Sequence, residues 1–66
     1  MYILKTKGTA KIPDYIQIRD DNFVLVNHFK ANVSKQTLEK FNYIKNVNEF
    51  TEMMNNLEYG VLKKIE

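Results

Sequence analysis

The strongest strand pattern of the chain lies in its first half. Residues 15–19 alternate between polar and hydrophobic side chains, and residues 23–29 are rich in β-branched and aromatic side chains. Between these two stretches lies Asp20-Asp21-Asn22, a combination that is typical of tight turns. The pattern therefore predicts a β-hairpin over residues 15–29.

The apolar positions also predict the register of this hairpin. A two-residue loop made by Asp21 and Asn22 places Ile18 opposite Leu25, and this register gathers the apolar residues on one face. That face carries Ile16, Ile18, Phe23, Leu25 and Phe29. The other face carries Tyr15, Gln17, Arg19, Val24, Val26 and His28.

Shorter apolar runs stand near the two ends of the chain. Residues 2–6 predict an N-terminal strand, because Gly8 and then Pro13 interrupt regular structure soon after it. Residues 61–65 could add a final short strand. Both runs would extend the sheet that the hairpin begins.

A capping residue and a regular hydrophobic spacing predict a first helix over residues 34–45. Ser34 is a favourable N-cap residue. The apolar side of this helix carries Leu38, Phe41 and Ile44. The same spacing assigns Tyr43 to the polar side, where an aromatic ring would be open to contacts.

A second helix is predicted over residues 48–59. Asn48 is its expected N-cap, and Gly60 suits the position that follows a helix end. Its apolar stripe consists of Phe50, Met53, Met54 and Leu57. This stripe is expected to be buried against the sheet, since amphipathic helices turn such a stripe to the core.

Together these elements predict a single α+β domain over residues 1–66. A small antiparallel sheet, made by the N-terminal strand and the hairpin 15–29, is packed by two C-terminal helices. We expect the helices to cover the Ile16 and Ile18 face, together with Leu25. The opposite face of the sheet would then meet water or a partner.

Length and composition add two points to this picture. A chain of 66 residues without cysteine has a modest core and no disulfide to reinforce it, so a partner or a second copy is a natural source of further buried surface. More than half of the residues have AT-rich codons, as expected for an AT-rich genome. Short chains from such genomes are often products of phages or mobile elements.

The sequence holds no pattern of a catalytic or metal site. His28 is the one histidine, it lies within the best strand, and no acid lies near it in sequence. Asp20-Asp21-Asn22 is far shorter than a calcium-binding loop. We therefore expect no enzymatic activity, no metal and no cofactor.

The open face of the hairpin is the predicted protein-binding surface. It combines aromatic, arginine and β-branched side chains, and tyrosine and arginine are enriched at interface hot spots. The predicted contact residues are Tyr15, Arg19, Val24, Val26 and His28, with Tyr43 on the first helix. This favours a non-enzymatic protein-binding module, such as a phage regulator or inhibitor of a host protein, or a homodimer.

Nucleic-acid binding is the alternative. Lysines are the charged residues of the first twelve positions and most of the charged residues in the region 28–45. Phosphate contacts would come from Lys5, Lys7, Lys11, Lys30, Lys35 and Lys40. A strand followed by two helices resembles, in the order of elements only, the ribbon-helix-helix dimers that bind in the major groove. However, the residues facing outward from that strand would be Val24, Val26 and His28, which are poor readers of bases, and the net charge is only +2.

The chain shows no sign of a targeting or membrane segment. Its first residues form too short an apolar run for a signal peptide, and no later stretch approaches the length of a membrane span. A cytoplasmic location without membrane contact is therefore the expectation.

Overall fold

Four strands pair into one antiparallel sheet in the computed structural model, which describes residues 1–65. In chain order the strands are β1 (Tyr2–Thr6), β2 (Tyr15–Arg19), β3 (Leu25–Lys30) and β4 (Lys63–Lys64). The helices α1 (Lys35–Leu38) and α2 (Val47–Asn56) lie between β3 and β4 in the chain. Across the sheet the order is β3-β2-β1-β4, so β3 and β4 form its two edges. This arrangement confirms the predicted small α+β fold.

The core forms where alternate residues of β1 and β2 meet the helices. Ile3 lies opposite Ile18, and Lys5 lies opposite Ile16. The three isoleucines are fully buried, as the period of two along a strand predicts. The core is completed by Leu38 of α1 and by Phe50 and Met54 of α2.

Helix α1 is much shorter than the predicted helix over residues 34–45. Its N-cap is as predicted, since Ser34 Oγ accepts a hydrogen bond from the amide three residues later. After Leu38 the chain continues in turns. The amide of Phe41 donates a hydrogen bond to the carbonyl of Leu38, and the amide of Ile44 donates one to the carbonyl of Phe41. Such i→i−3 turns preserve a spacing of three residues, so the hydrophobic pattern fits them as well as it fits an α-helix.

Helix α2 starts one residue and ends three residues earlier than predicted. Its N-cap is Asn46 and not Asn48, because Asn46 Oδ1 accepts the hydrogen bond from the amide of Glu49. The helix ends at Asn56, where Leu57 takes up an extended backbone conformation. Of the predicted stripe, Phe50 and Met54 are buried, while Met53 and Leu57 are half-buried against the core.

The predicted register of the hairpin is wrong. Ile18 lies opposite Asn27 and not Leu25, and Leu25 lies opposite Arg19. Two steps along β3 therefore match one step along β2, which leaves Val26 as the extra residue of a bulge. As a result Leu25 moves from the face that the helices cover to the opposite face.

The cause of this shift is a loop of three residues where two were predicted. The amide of Asp20 donates to the carbonyl of Val24, which closes the loop one residue later than expected. Asp20 Oδ1 accepts hydrogen bonds from the amides of Asn22 and Val24. Phe23, with φ of 65°, takes the left-handed position that such loops require.

The final strand is present but covers only two residues of the predicted 61–65. Lys63 lies opposite Ile3, and Lys64 lies opposite Tyr2. Gly60 leads into this segment with φ of 75°, a conformation that favours glycine. No helix within residues 1–65 is long and apolar enough to cross a membrane.

Candidate protein-contact surface

One face of the sheet lies away from the helices, and we name it the open face. It carries the strand residues that alternate with the buried ones, so the pairing of the strands defines its rows. The first row is Lys64, Tyr2, Arg19 and Leu25. The second row is Leu4, Gln17 and His28, and the third is Thr6, Tyr15 and Lys30.

Four consecutive apolar residues are exposed beside this face, and we name them the hairpin run. The run comprises Phe23, Val24, Leu25 and Val26, whose exposed fractions are 52, 59, 46 and 52%. It covers the end of the hairpin loop and the start of β3. Sequence reasoning identified Val24 and Val26 but assigned Phe23 and Leu25 to the core, because it used the wrong register.

Phe23 occupies a backbone conformation that bulky side chains rarely adopt. Its ring lies 4.9 Å from the ring of Tyr2, and its carbonyl accepts a hydrogen bond of 2.9 Å from Arg19 Nη1. Arg19 Nη2 donates to Gln17 Oε1 at 2.8 Å, so the guanidinium joins the sheet to the loop. These contacts hold an exposed phenyl ring at the tip of the hairpin.

Tyr15 and His28 form the far end of the open face. Their rings stack with centroids 4.7 Å apart. The predicted direct pairing of these two residues is wrong, because Tyr15 lies opposite Lys30 and His28 lies opposite Gln17. They meet as diagonal neighbours, and they share the predicted face.

Tyr43 does not share this surface. It is half-buried on the side of the helices, where it accepts a hydrogen bond of 3.0 Å from Asn27 Nδ2 and stacks on Phe41. Burial raises the pKa of its phenol above the ordinary value, an effect that the hydrogen bond from Asn27 partly offsets. The structure thus separates Tyr43 from the other five predicted contact residues.

The six lysines of the nucleic-acid alternative do not form one surface. Lys5 is 9% exposed, and its ammonium donates a hydrogen bond of 3.0 Å to the carbonyl of Met54. It therefore does not face solvent, in contrast to the position expected of a phosphate-binding lysine. Lys30 lies on the open face, and Lys35 of α1 binds Asn48 Oδ1. Lys7, Lys11 and Lys40 are exposed.

A polar cluster around Asp14 was not predicted from the sequence. Asp14 accepts hydrogen bonds from the Gly8 amide at 2.7 Å and from the Tyr59 hydroxyl at 2.6 Å. The Gly8 and Tyr59 hydrogen bonds lower the pKa of Asp14, and the bond to Asp14 raises the pKa of Tyr59. The ammonium groups of Lys5 and Lys7 lie 5.3 and 5.9 Å from the Tyr59 ring. No local pattern reveals this cluster, because Asp14 and Tyr59 are 45 residues apart.

A groove of about 420 Å³ lies beside the start of α2, lined in part by Tyr43, Phe50, Met53 and Ile65. Within residues 1–65 no three His, Asp or Glu side chains are grouped so that they could hold a metal ion. Among residues 1–65 the hairpin run is the longest stretch of consecutive exposed large hydrophobic side chains.

Comparison with known proteins gives no relative from which a function could be transferred. No family model, curated protein or solved structure matches the chain.

Proposed function

We propose that this chain is a non-enzymatic protein-binding module whose contact surface is the hairpin run with the adjoining open face. The observation that carries the proposal is the exposure of four consecutive apolar residues, Phe23 to Val26, each close to half exposed or more. Runs of this kind are unfavourable on a soluble surface unless a function requires them. Binding a partner would remove them from water.

The hairpin run does not serve the core. None of its four residues belongs to the buried cluster or packs against it. Val26 is moreover the unpaired residue of the bulge, so β-sheet pairing does not demand an apolar side chain there. A partner is the simplest reason for this hydrophobic surface.

The neighbouring residues suit a protein partner. Arg19 lies next to the run, and the stacked Tyr15 and His28 stand at the other end of the open face. Arginine and tyrosine are the side chains that most often dominate binding energy at protein interfaces. The run would provide the apolar centre of the contact, and these polar-tipped side chains would form its rim.

The proposed biological role follows from composition. More than half of the residues are amino acids with AT-rich codons, which supports a regulator or inhibitor of a host protein that a phage or mobile element encodes. The nucleic-acid alternative has less support, because Lys5 is buried and α1 is a single turn where a ribbon-helix-helix arrangement has a full helix.

The proposal can be tested with two matched variants of the full chain, Val26→Asp and Val61→Asp. Both valines are exposed to a similar extent, but Val61 lies outside the hairpin. Each variant, and the unmodified chain, is used as bait in a lysate of the source cells treated with nuclease. Circular dichroism is used to check that both variants remain folded.

A partner protein that binds the unmodified chain and Val61→Asp but not Val26→Asp would support the proposal. A partner retained equally by all three baits would place the contact elsewhere, for instance around Tyr43. Loss of all captured material after nuclease treatment would instead support the nucleic-acid alternative. Size-exclusion chromatography of the same variants shows whether the partner is a second copy.

A further inference from the structure

The two edges of the sheet differ in how well they are protected against further pairing. Edge strand β4 is only two residues long, and both residues are lysines, which is a common way to block a free edge. Edge strand β3 has six residues, contains no proline and begins with apolar side chains. Only β3 therefore offers a length of backbone on which another strand could form.

The hydrogen-bond pattern defines which backbone groups of β3 are free. The amide of Ala31 donates to the carbonyl of Asp14 at 2.8 Å, so this pair belongs to the hydrogen-bonded set. In antiparallel sheets hydrogen-bonded pairs alternate with pairs that are not bonded. The amides of Asn27 and Phe29 thus point to β2, while those of His28 and Lys30 point outward.

The bulge at Val26 limits this free edge to its second half. Residues 27–30 pair with β2 in unbroken register, whereas Val26 and the residues before it bend out of the ladder. A strand added beside residues 27–30 would continue past the bulge onto the hairpin run. The same bound segment would therefore pair with the backbone of residues 27–30 and contact the apolar side chains of the hairpin run.

The charge beside this edge is positive. On the open face Lys30 of β3 and Arg19 of β2 lie at or next to this edge, and the paired residues of β2 and β3 on that face include no carboxylate. Acids stand at both ends of this edge, but each is already engaged. Asp14, whose carbonyl is bound by the Ala31 amide, has its carboxylate bound by Gly8 and Tyr59. In the hairpin loop Asp20 accepts backbone hydrogen bonds, and Asp21 is paired with the N-terminal ammonium at 2.7 Å. The charge that complements this surface is negative.

We infer that β3 binds an extended acidic segment of another protein, which adds to the sheet as a fifth strand. This inference rests on the proposed protein-binding function and specifies its partner. The carbonyl of Lys30 already accepts a hydrogen bond of 3.1 Å from the Val33 amide, so the backbone groups open to the segment are the amide and carbonyl of His28 and the amide of Lys30. Hydrogen bonds to these groups supply affinity, and alternate side chains of the segment supply specificity. Apolar side chains of the segment meet the hairpin run, and its carboxylates meet Lys30 and Arg19.

A second copy of the chain fits this edge less well. Two copies paired through β3 would form one continuous sheet whose open face carries Arg19 and Lys30 on both sides of the junction, with no carboxylate among the paired residues of β2 and β3 on that face. Like charges brought together in this way oppose association. An acidic segment removes the same apolar surface from water and neutralises the charge.

The test uses a displayed library of short random peptides, selected on the immobilised full chain. The selected peptides are expected to alternate apolar residues with Asp or Glu and to bind more weakly as salt is raised. Lys30→Glu should weaken their binding by on the order of tenfold. Lys63→Glu, on the opposite edge, is the matched control and should leave binding nearly unchanged.

Amide hydrogen exchange distinguishes strand addition from contact by side chains alone. The amides of His28 and Lys30 should exchange fast in the free chain and become protected when a selected peptide is bound. One contrary result would be a selected peptide that fails to bind Val26→Asp and yet leaves these two amides unprotected when it is bound to the unmodified chain. That result would overturn the fifth strand and leave the proposed function intact. Three other results would also overturn the inference: selection of basic peptides, failure to select any peptide, or formation of a β3-paired dimer by the chain itself.

Discussion

The ammonium of Lys5 donates a hydrogen bond of 3.0 Å to the carbonyl oxygen of Met54, linking β1 to the last turn of α2. Carbonyls in the last turn of a helix lack the usual i+4 amide partner, and that of Met54 accepts only a long bond of 3.4 Å from the Leu57 amide. A cation at this helix end also interacts favourably with the helix dipole. The Tyr59 ring lies 5.3 Å from the same ammonium. A lysine that sequence analysis assigned to phosphate binding is therefore a buried contact between sheet and helix.

Removing the Lys5 ammonium should destabilise the fold. Lys5→Met retains most of the aliphatic stem but loses the charged hydrogen bond, so the free energy of unfolding should fall by about 1–3 kcal/mol. Lys7→Met, at an exposed position, is the control and should change it by less than about 0.5 kcal/mol. Urea denaturation measures both values. Equal effects would show that the Lys5 hydrogen bond contributes nothing specific.

Adjacent methionines of α2 should differ sharply in their contribution to stability. Met54 is 2% exposed within the core, so Met54→Ala should cost about 2–5 kcal/mol, which is a large share of the stability of so small a domain. Met53 is half-buried, and Met53→Ala should cost clearly less. Thermal unfolding followed by circular dichroism compares the two. A larger loss for Met53→Ala would contradict the described orientation of α2.

The left-handed conformation of Phe23 should be visible as strain. Glycine adopts φ of 65° without penalty, whereas an alanine side chain costs roughly 1–2 kcal/mol there. Phe23→Gly should therefore be more stable than Phe23→Ala by about 1 kcal/mol, although both lose the contact with Tyr2. Denaturant unfolding of the two variants tests this. The reverse order would mean that the loop does not require a positive φ.

The hydrogen bond between Asp14 and Tyr59 should make stability depend on pH at both extremes. The pKa of Asp14 is lowered from 3.8, so its contribution is present above that pH and is lost as the pH falls through the lowered value. The pKa of Tyr59 is raised from 10.0, so its contribution is present below pH 10 and is lost as the pH rises through the raised value.

Melting temperatures of the unmodified chain and of Tyr59→Phe, measured from acid to alkaline pH, test this linkage. The difference between the two proteins should be largest near neutral pH, and it should narrow in strong acid and above pH 10. A difference that stays constant across the whole range would show that the bond between the phenol and the carboxylate makes no contribution to stability.

Local patterns in the sequence determine the fold class and most of its elements. Alternation in β2 predicted the buried Ile16 and Ile18, because a side-chain period of two follows from strand geometry alone. Ser34 was recognisable as an N-cap because its oxygen acts on an amide only three residues away. Relations of this range are written in consecutive residues, so they can be predicted without the tertiary structure.

The candidate surface depended on tertiary structure. The hairpin register shifted because Asp20 binds two loop amides and Phe23 accepts a left-handed conformation, and this shift placed Leu25 on the open face. Helix α1 ends at Leu38, and Phe41 beyond it stacks on Phe29 of β3. Contacts between residues distant in sequence outweigh weak local preferences such as helix propensity. The sequence by itself therefore determined the fold class, most of the elements and the buried side of β2, whereas the loop and bulge geometry of the folded hairpin decided which of its apolar side chains are exposed.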